Sequence, residues 1–206
     1  MIKISPLLIA VALCLFGCAT IPDYSVHTPP HPALKRRGDE VIGRTIDRDL
    51  LASLTVEYIN LFRSKHNLTL LNPDQRTADA AEWMADYQAR TMKVAHIANI
   101  SGWNKLGDRY RRSGGGDYVA GYENASWSPL FEPALGRNHT YDEMARIIVD
   151  GWINSPEHFR NLIPEWDGAR PVIGVGITGG RMQNYDGIYA TMDLFMIGTV
   201  PIPVMR

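Results

Sequence analysis

The chain is poor in cysteine, with two in 206 residues, and both, Cys14 and Cys18, fall in its first 18 positions. That excludes a disulfide-rich scaffold and a four-cysteine zinc site. It also lacks an excess of either charge. Against 21 Lys and Arg stand 22 Asp and Glu, for a net charge of −1. Nucleic acid as the main partner would call for a strong basic surplus, so none is expected. The apolar run Leu7–Phe16 is well short of the roughly 20 residues a membrane-spanning helix needs. Nowhere does H-E-x-x-H occur, nor a G-x-S-x-G nucleophile elbow. Ser113-Gly-Gly-Gly116 lacks the lysine and the preceding strand of a phosphate loop and reads as a turn.

What is present begins with an export address. Lys3 supplies a short positive region, and Leu7–Phe16 an apolar one, in the pattern of a secretory signal peptide. Leu15-Phe16-Gly17-Cys18 resembles the bacterial lipobox. That resemblance implies cleavage before Cys18 and acylation of its sulfur and amine. Several acyl chains anchor stably where one is marginal. Residues 1–17 are therefore read as a signal and 18–45 as a lipid-anchored linker. The linker is rich in proline (Pro22, Pro29, Pro30, Pro32) and carries Lys35-Arg36-Arg37. Residues 46–206 are read as the domain, a monomer. The expected location is extracytoplasmic, on a bacterial membrane through acylated Cys18, and on the outer membrane if the source is Gram-negative.

With 45% apolar residues the remaining chain can bury a core. Leu50, Leu51, Leu54, Tyr58, Leu61 and Phe62 recur at helical spacing. A second helix is predicted from Pro73 to Lys93, with Pro73 in its first turn, and a short one within Asn104–Arg112. Thr140-Tyr-Asp-Glu143 is a capping box that opens a helix carrying Met144, Ile147, Ile148 and Trp152. Ser155-Pro156 opens another, with Ser155 as the cap. Val172–Thr178 and Ile188–Ile197 read as antiparallel strands, and Tyr118–Ser126 as a third. The class is α+β, a helix–sheet–helix sandwich with an antiparallel sheet.

Six histidines are present. His27 and His31 lie in the linker, His66 at a helix end, and His139 ahead of the capping box, where it is expected to be exposed. His96 and His158 flank apolar segments that should pack. Around them the order of motifs becomes specific: Asn60-x-x-Arg63, then His96, Asp108-Arg109, Gly121-Tyr-Glu123-Asn124, Trp152-Ile-Asn-Ser155-Pro-Glu-His158-x-x-Asn161-Leu162 and Ile173-Gly-Val-Gly176. Over about residues 50–197 this order resembles the bacterial branch of the CAP superfamily. That superfamily takes in cysteine-rich secretory proteins, antigen 5 and pathogenesis-related 1 proteins, and its domain is also called SCP.

The resemblance implies an α-β-α sandwich with a cleft of histidines and acids, which holds a divalent metal such as zinc in some members. Carried over by motif, the cleft residues are His96, Glu123 and His158, with Glu157 a weaker fourth. Two imidazoles and a carboxylate suit Zn²⁺ with one position left for water. They suit equally a proton held near neutral pH, or a buried cluster that only ties elements together. Tyr122 stands between the glycine and the glutamate that the family usually has adjacent. The segment after Asn124, with Trp127, Phe131 and Pro133, is longer than expected and is read as a candidate lid. Asp108-Arg109 and Asn60/Arg63 are read as structural pairs or caps and not as ligands. The resemblance implies lipid or sterol binding in some members and no single shared reaction. Three functions follow as expectations, one of them a structural envelope protein whose cleft is vestigial. Another is a binding module for a small hydrophobic or envelope ligand. The third is a metal-assisted or acid–base hydrolase built on the same residues.

Overall fold

The computed structural model describes residues 37–165 and 167–198. The signal, Cys18, His27, His31 and most of the linker lie outside these. Helix α1, Arg48–Lys65, is capped by Asp47, whose side chain accepts from the Leu50 backbone at 3.0 Å. A two-residue strand β1, Asn72–Pro73, leads into α2, Gln75–Thr91. Here Asp74 is the cap, accepting from Thr77 N–H, so Pro73 belongs to the strand and not to the first helical turn. After α3 (Leu106–Arg112) come β2 (Ala120–Pro129) and a small hairpin of β3 (Phe131–Glu132) and β4 (Arg137–Asn138). Helices α4 (Tyr141–Ile153) and α5 (Pro156–Arg160) precede the long hairpin of β5 (Arg170–Met182) and β6 (Tyr185–Ile197).

Both halves of the Thr140–Glu143 capping box form. Ser155 holds the cap position of α5 but its hydroxyl makes no cap hydrogen bond, and Pro156 alone marks that start. His139 is buried, not exposed. It lies where the β3–β4 hairpin meets α4, its backbone tied to Leu130 and Ile42.

The main sheet runs β1-β5-β6-β2. β5 and β2 pair antiparallel to β6, but β1 pairs parallel to β5. The sheet is therefore mixed, a correction to the antiparallel expectation. The reason is local: α1 carries the chain back before Asn72-Pro73, so these two residues meet β5 in its own direction.

The two faces of the sheet are covered differently. Ile173, Val175, Ile177, Ala190, Met192 and Leu194 share a buried core with Leu51, Leu54, Met144, Ile148 and Trp152 of α1 and α4. On the other face β5 presents Gly174 and Gly176. A Cβ on Gly174 would overlap the backbone of Thr77 and Ala78, and one on Gly176 that of Ala81 and Glu82. Helix α2 thus rests directly on the strand, which explains the alternation in Ile173-Gly-Val-Gly176. The fold also reaches back beyond residue 46, since Ile42 is fully buried and Val41 bridges Thr140.

Candidate functional site

Side chains alternate along β2, so Glu123 points to the face that α2 and α3 cover. Asp193 of β6 is its cross-strand partner. His96 comes from the loop after α2, and two bonds place it. Gln88 donates to the Ala95 carbonyl at 2.9 Å, and Arg109 donates to the His96 carbonyl at 3.4 Å. His96 Nδ1 then meets Glu123 Oε1 at 2.8 Å. The other oxygen, Oε2, is held by the guanidinium of Arg109, which is fully buried.

His158 arrives from the opposite direction, on α5 beside the free edge of β2. Asn124 donates to its carbonyl at 3.0 Å. Asn161 donates to the Glu123 carbonyl and to the Asn124 amide oxygen, both at 2.9 Å. The two asparagines fasten α5 to the strand. The result is an open pocket of about 330 Å³ lined by His96, Leu106, Glu123, Glu157, His158 and Asn161.

The structure therefore brings together all four residues chosen from the sequence. Asn60 and Arg63 are structural, as expected. Asn60 brackets the backbone of Leu71, and buried Arg63 bonds the carbonyls of Thr69 and Leu162 and pairs with Glu165. The expected lid lies elsewhere. Trp127, Phe131 and Pro133 line a separate groove of about 1150 Å³ beside the β5–β6 turn, which shares no lining residue with the His–Glu pocket.

Two functional residues escaped the sequence. The sequence reads Asp108-Arg109 as a structural pair or cap: Asp108 does cap, accepting from the Lys105 backbone, but Arg109 turns inward to Glu123. Asp193 is completely buried, and neither of its oxygens meets a donor among the described residues. A signal for it existed: it is the one charged residue in the run Ile188–Ile197.

The electrostatics separate these groups. The hydrogen bond to Glu123 raises the His96 pKa above its ordinary value, against burial and the charge of Arg109. Burial lowers that of His158, and His96 lowers it further. The charged form is thus favoured at His96 and the neutral form at His158. Burial also pushes Asp193 well above the carboxylate range, with the Glu123 charge adding to the effect. Burial and the neighbouring Glu123 charge thus favour the protonated form of Asp193, the form able to donate a hydrogen bond.

Asp193 carries a stability cost with a definite sign. Its folded pKa is raised, so stability falls as pH climbs above the unfolded carboxylate pKa, by up to about 1.4 kcal/mol per unit. The fall ends where Asp193 ionises within the fold. The Asp193→Asn variant is expected to remove that dependence. Urea denaturation from weakly acid to weakly alkaline pH should show it gaining on the parent chain as pH rises. An equal difference at every pH would mean that Asp193 ionises normally.

A divalent ion fits this donor set only in part. Both Glu123 oxygens are engaged by His96 and Arg109, so as arranged the carboxylate orients His96 and does not offer itself as a ligand. Among the described residues no group of three or more His, Cys, Asp or Glu is placed to hold a metal.

A three-layer domain with a histidine–glutamate pocket at the free edge of its sheet defines the class. Residues 56–193 match the cysteine-rich secretory protein family (CAP), and the chain belongs to that family. No curated protein matches it. Among solved structures, an extracellular protein containing an SCP domain from Bacillus anthracis is similar, with 24% identity and a TM-score of 0.53. The match covers 72% of this chain and 41% of that one, so the chain spans well under half of the Bacillus protein. An outer surface protein from Borrelia burgdorferi is similar over 77% of this chain and all of its own length, at 19% identity and a TM-score of 0.52.

Proposed function

We propose that this is an extracytoplasmic lipoprotein, held to a bacterial membrane by acylated Cys18, whose pocket binds a small hydrophobic or envelope-derived ligand such as a lipid or sterol. One observation carries the reading. The His96–Glu123 pair, His158 and Glu157 line an open pocket, and the apolar side chain of Ile97 stands exposed next to His96 in the chain. Polar groups at the mouth suit a headgroup, and the apolar flank suits a tail. A divalent ion in this pocket would be held by the imidazoles of His96 and His158, with Glu123 fixing the first of them.

Mass spectrometry of small molecules and metals retained by the native, membrane-extracted protein tests this reading. The parent chain should carry a ligand that the His96→Ala, His158→Ala variant has lost while still folding. Equal contents in both proteins, or an empty parent, would defeat it. Fatty-acid labelling of cells tests the anchor, and label retained in Cys18→Ser would remove that part.

The opposite shifts of the two histidines favour a second reading, an acid–base hydrolase, because groups pushed apart in pKa are suited to those two roles. Hydrolysis of an ester or peptide library, abolished in Glu123→Gln, would establish it. In either reading NMR titration of Glu123→Gln should show the His96 pKa falling. The His158 pKa should rise, because its charged neighbour is lost sooner. Unmoved histidines would show that the pair seen here is not formed in solution.

A further inference from the structure

The loop from Met92 to Lys105, between α2 and α3, is firmly held yet turns its largest aliphatic side chains outward. Lys93 N–H donates to the Gln88 carbonyl at 3.1 Å, and Asn99 N–H to the Tyr87 hydroxyl at 3.0 Å. Ala98 is buried and donates to the Asn104 carbonyl at 3.1 Å. Trp103 stacks on Trp83 with ring centroids 4.6 Å apart. Despite these anchors Met92 is 60% exposed, Ile97 68% and Ile100 40%. A fixed loop that leaves three such side chains in water has not buried them in its own core.

The charge around them is one-sided. No acidic residue occurs between Asp86 and Asp108, a stretch that holds Arg90, Lys93, His96 and Lys105. Lys93 and Lys105 are exposed. Exposed Arg112 joins them from α3, donating to the Gly102 carbonyl at 2.7 Å with its guanidinium over the Trp103 ring. In a chain whose total charge is −1, this stretch is locally basic and carries exposed apolar side chains.

We propose that the Met92–Lys105 loop docks the domain on an anionic bilayer surface, with Met92, Ile97 and Ile100 entering below the headgroups and Lys93, Lys105 and Arg112 meeting the phosphates. Apolar side chains gain from the acyl boundary, and each cation gains from the negative surface potential. An acidic soluble partner would complement the cations but leave the aliphatic tips unserved; a neutral bilayer would do the reverse. Because His96 belongs to this loop and lines the pocket, docking puts the pocket mouth at the bilayer. That consequence, entry of the ligand from the membrane, rests on the pocket reading, whereas the docking does not.

Hydrogen exchange on the full chain, reconstituted into vesicles of phosphatidylcholine with or without phosphatidylglycerol, tests the docking. Both preparations hold the chain by the same N-terminal region, so only the surface charge differs. Amides of residues 92–105 should exchange more slowly in the anionic vesicles, and salt should reverse the effect. The Lys93→Glu, Lys105→Glu variant should lose about tenfold or more of that protection. Ile97→Ala with Ile100→Ala, both at exposed sites, should weaken it without changing the fold, as circular dichroism can confirm. Equal exchange in the two vesicle types would overturn the proposal. So would protection that grows with protein concentration in the absence of vesicles, which would mark an interface between protein copies. His158→Ala should leave the loop's protection unchanged, and a parent chain that retains no ligand yet shows that protection counts against the pocket reading alone.

Discussion

Replacing Arg109 with methionine is expected to destabilise the domain by about 3–5 kcal/mol, the cost of stripping one partner from a buried ion pair. Arg109 is fully buried and the Glu123 side chain is 5% exposed, so water cannot replace the guanidinium. The variant would also release the carbonyls of His96 and Asn104, which Arg109 bonds at 3.4 and 3.3 Å. His96 would then lose its backbone hold as well as part of its carboxylate's support. Adding Glu123→Gln should recover most of the stability, because a neutral buried pair of similar shape avoids the uncompensated charge. Denaturant titration of the four proteins in that cycle gives the coupling directly. A loss below about 1 kcal/mol in the single variant would show that the pair is solvated.

Gly176→Ala carries the second large effect. Adding methylenes to a packed core usually costs about 1–3 kcal/mol, because side chains can yield. Here the obstacle is the backbone of Ala81 and Glu82 in the middle of α2, so the helix must move as a body. A loss at or above the top of that range, about 3 kcal/mol, is expected. The His96 resonances should shift too, because Gln88 of the same helix holds the His96 loop through Ala95. Gly151→Ala is the matched control: nothing lies within 4 Å of a Cβ there, and the site is an exposed helical position. It should be neutral or gain up to about 1 kcal/mol. A Gly176→Ala protein as stable as the parent would mean that α2 does not rest on β5 as described.

Local signals were the legible ones. Helical periodicity located α1 and α4, the Thr140–Glu143 box marked its helix start, and the turn between Val172–Thr178 and Ile188–Ile197 announced the β5–β6 hairpin. All depend on residues within one or two turns of each other. Proline suits both a first helical turn and the residue before a cap, and only the Thr77 N–H bond to Asp74 decides the place of Pro73. Nothing near His139 in the chain signals the β3–β4 hairpin folding over it, so the sequence alone reads it as exposed although it is buried.

At the site, the family resemblance carried by the motifs was enough to name the residues that meet: His96, Glu123 and His158, with Glu157 beside them. Their motifs are separate but ordered, and that order identified the fold that joins them. Which partners surround each residue was decided only in three dimensions. Arg109 looked like one more cation on a short helix until α3 turned it onto Glu123. Asp193 looked like an ordinary acid until the β2–β6 register set it opposite Glu123 in the dry space beneath α2 and α3. The physical reason is that charge state and bonding depend on burial and on partners distant in the chain, which periodicity does not encode.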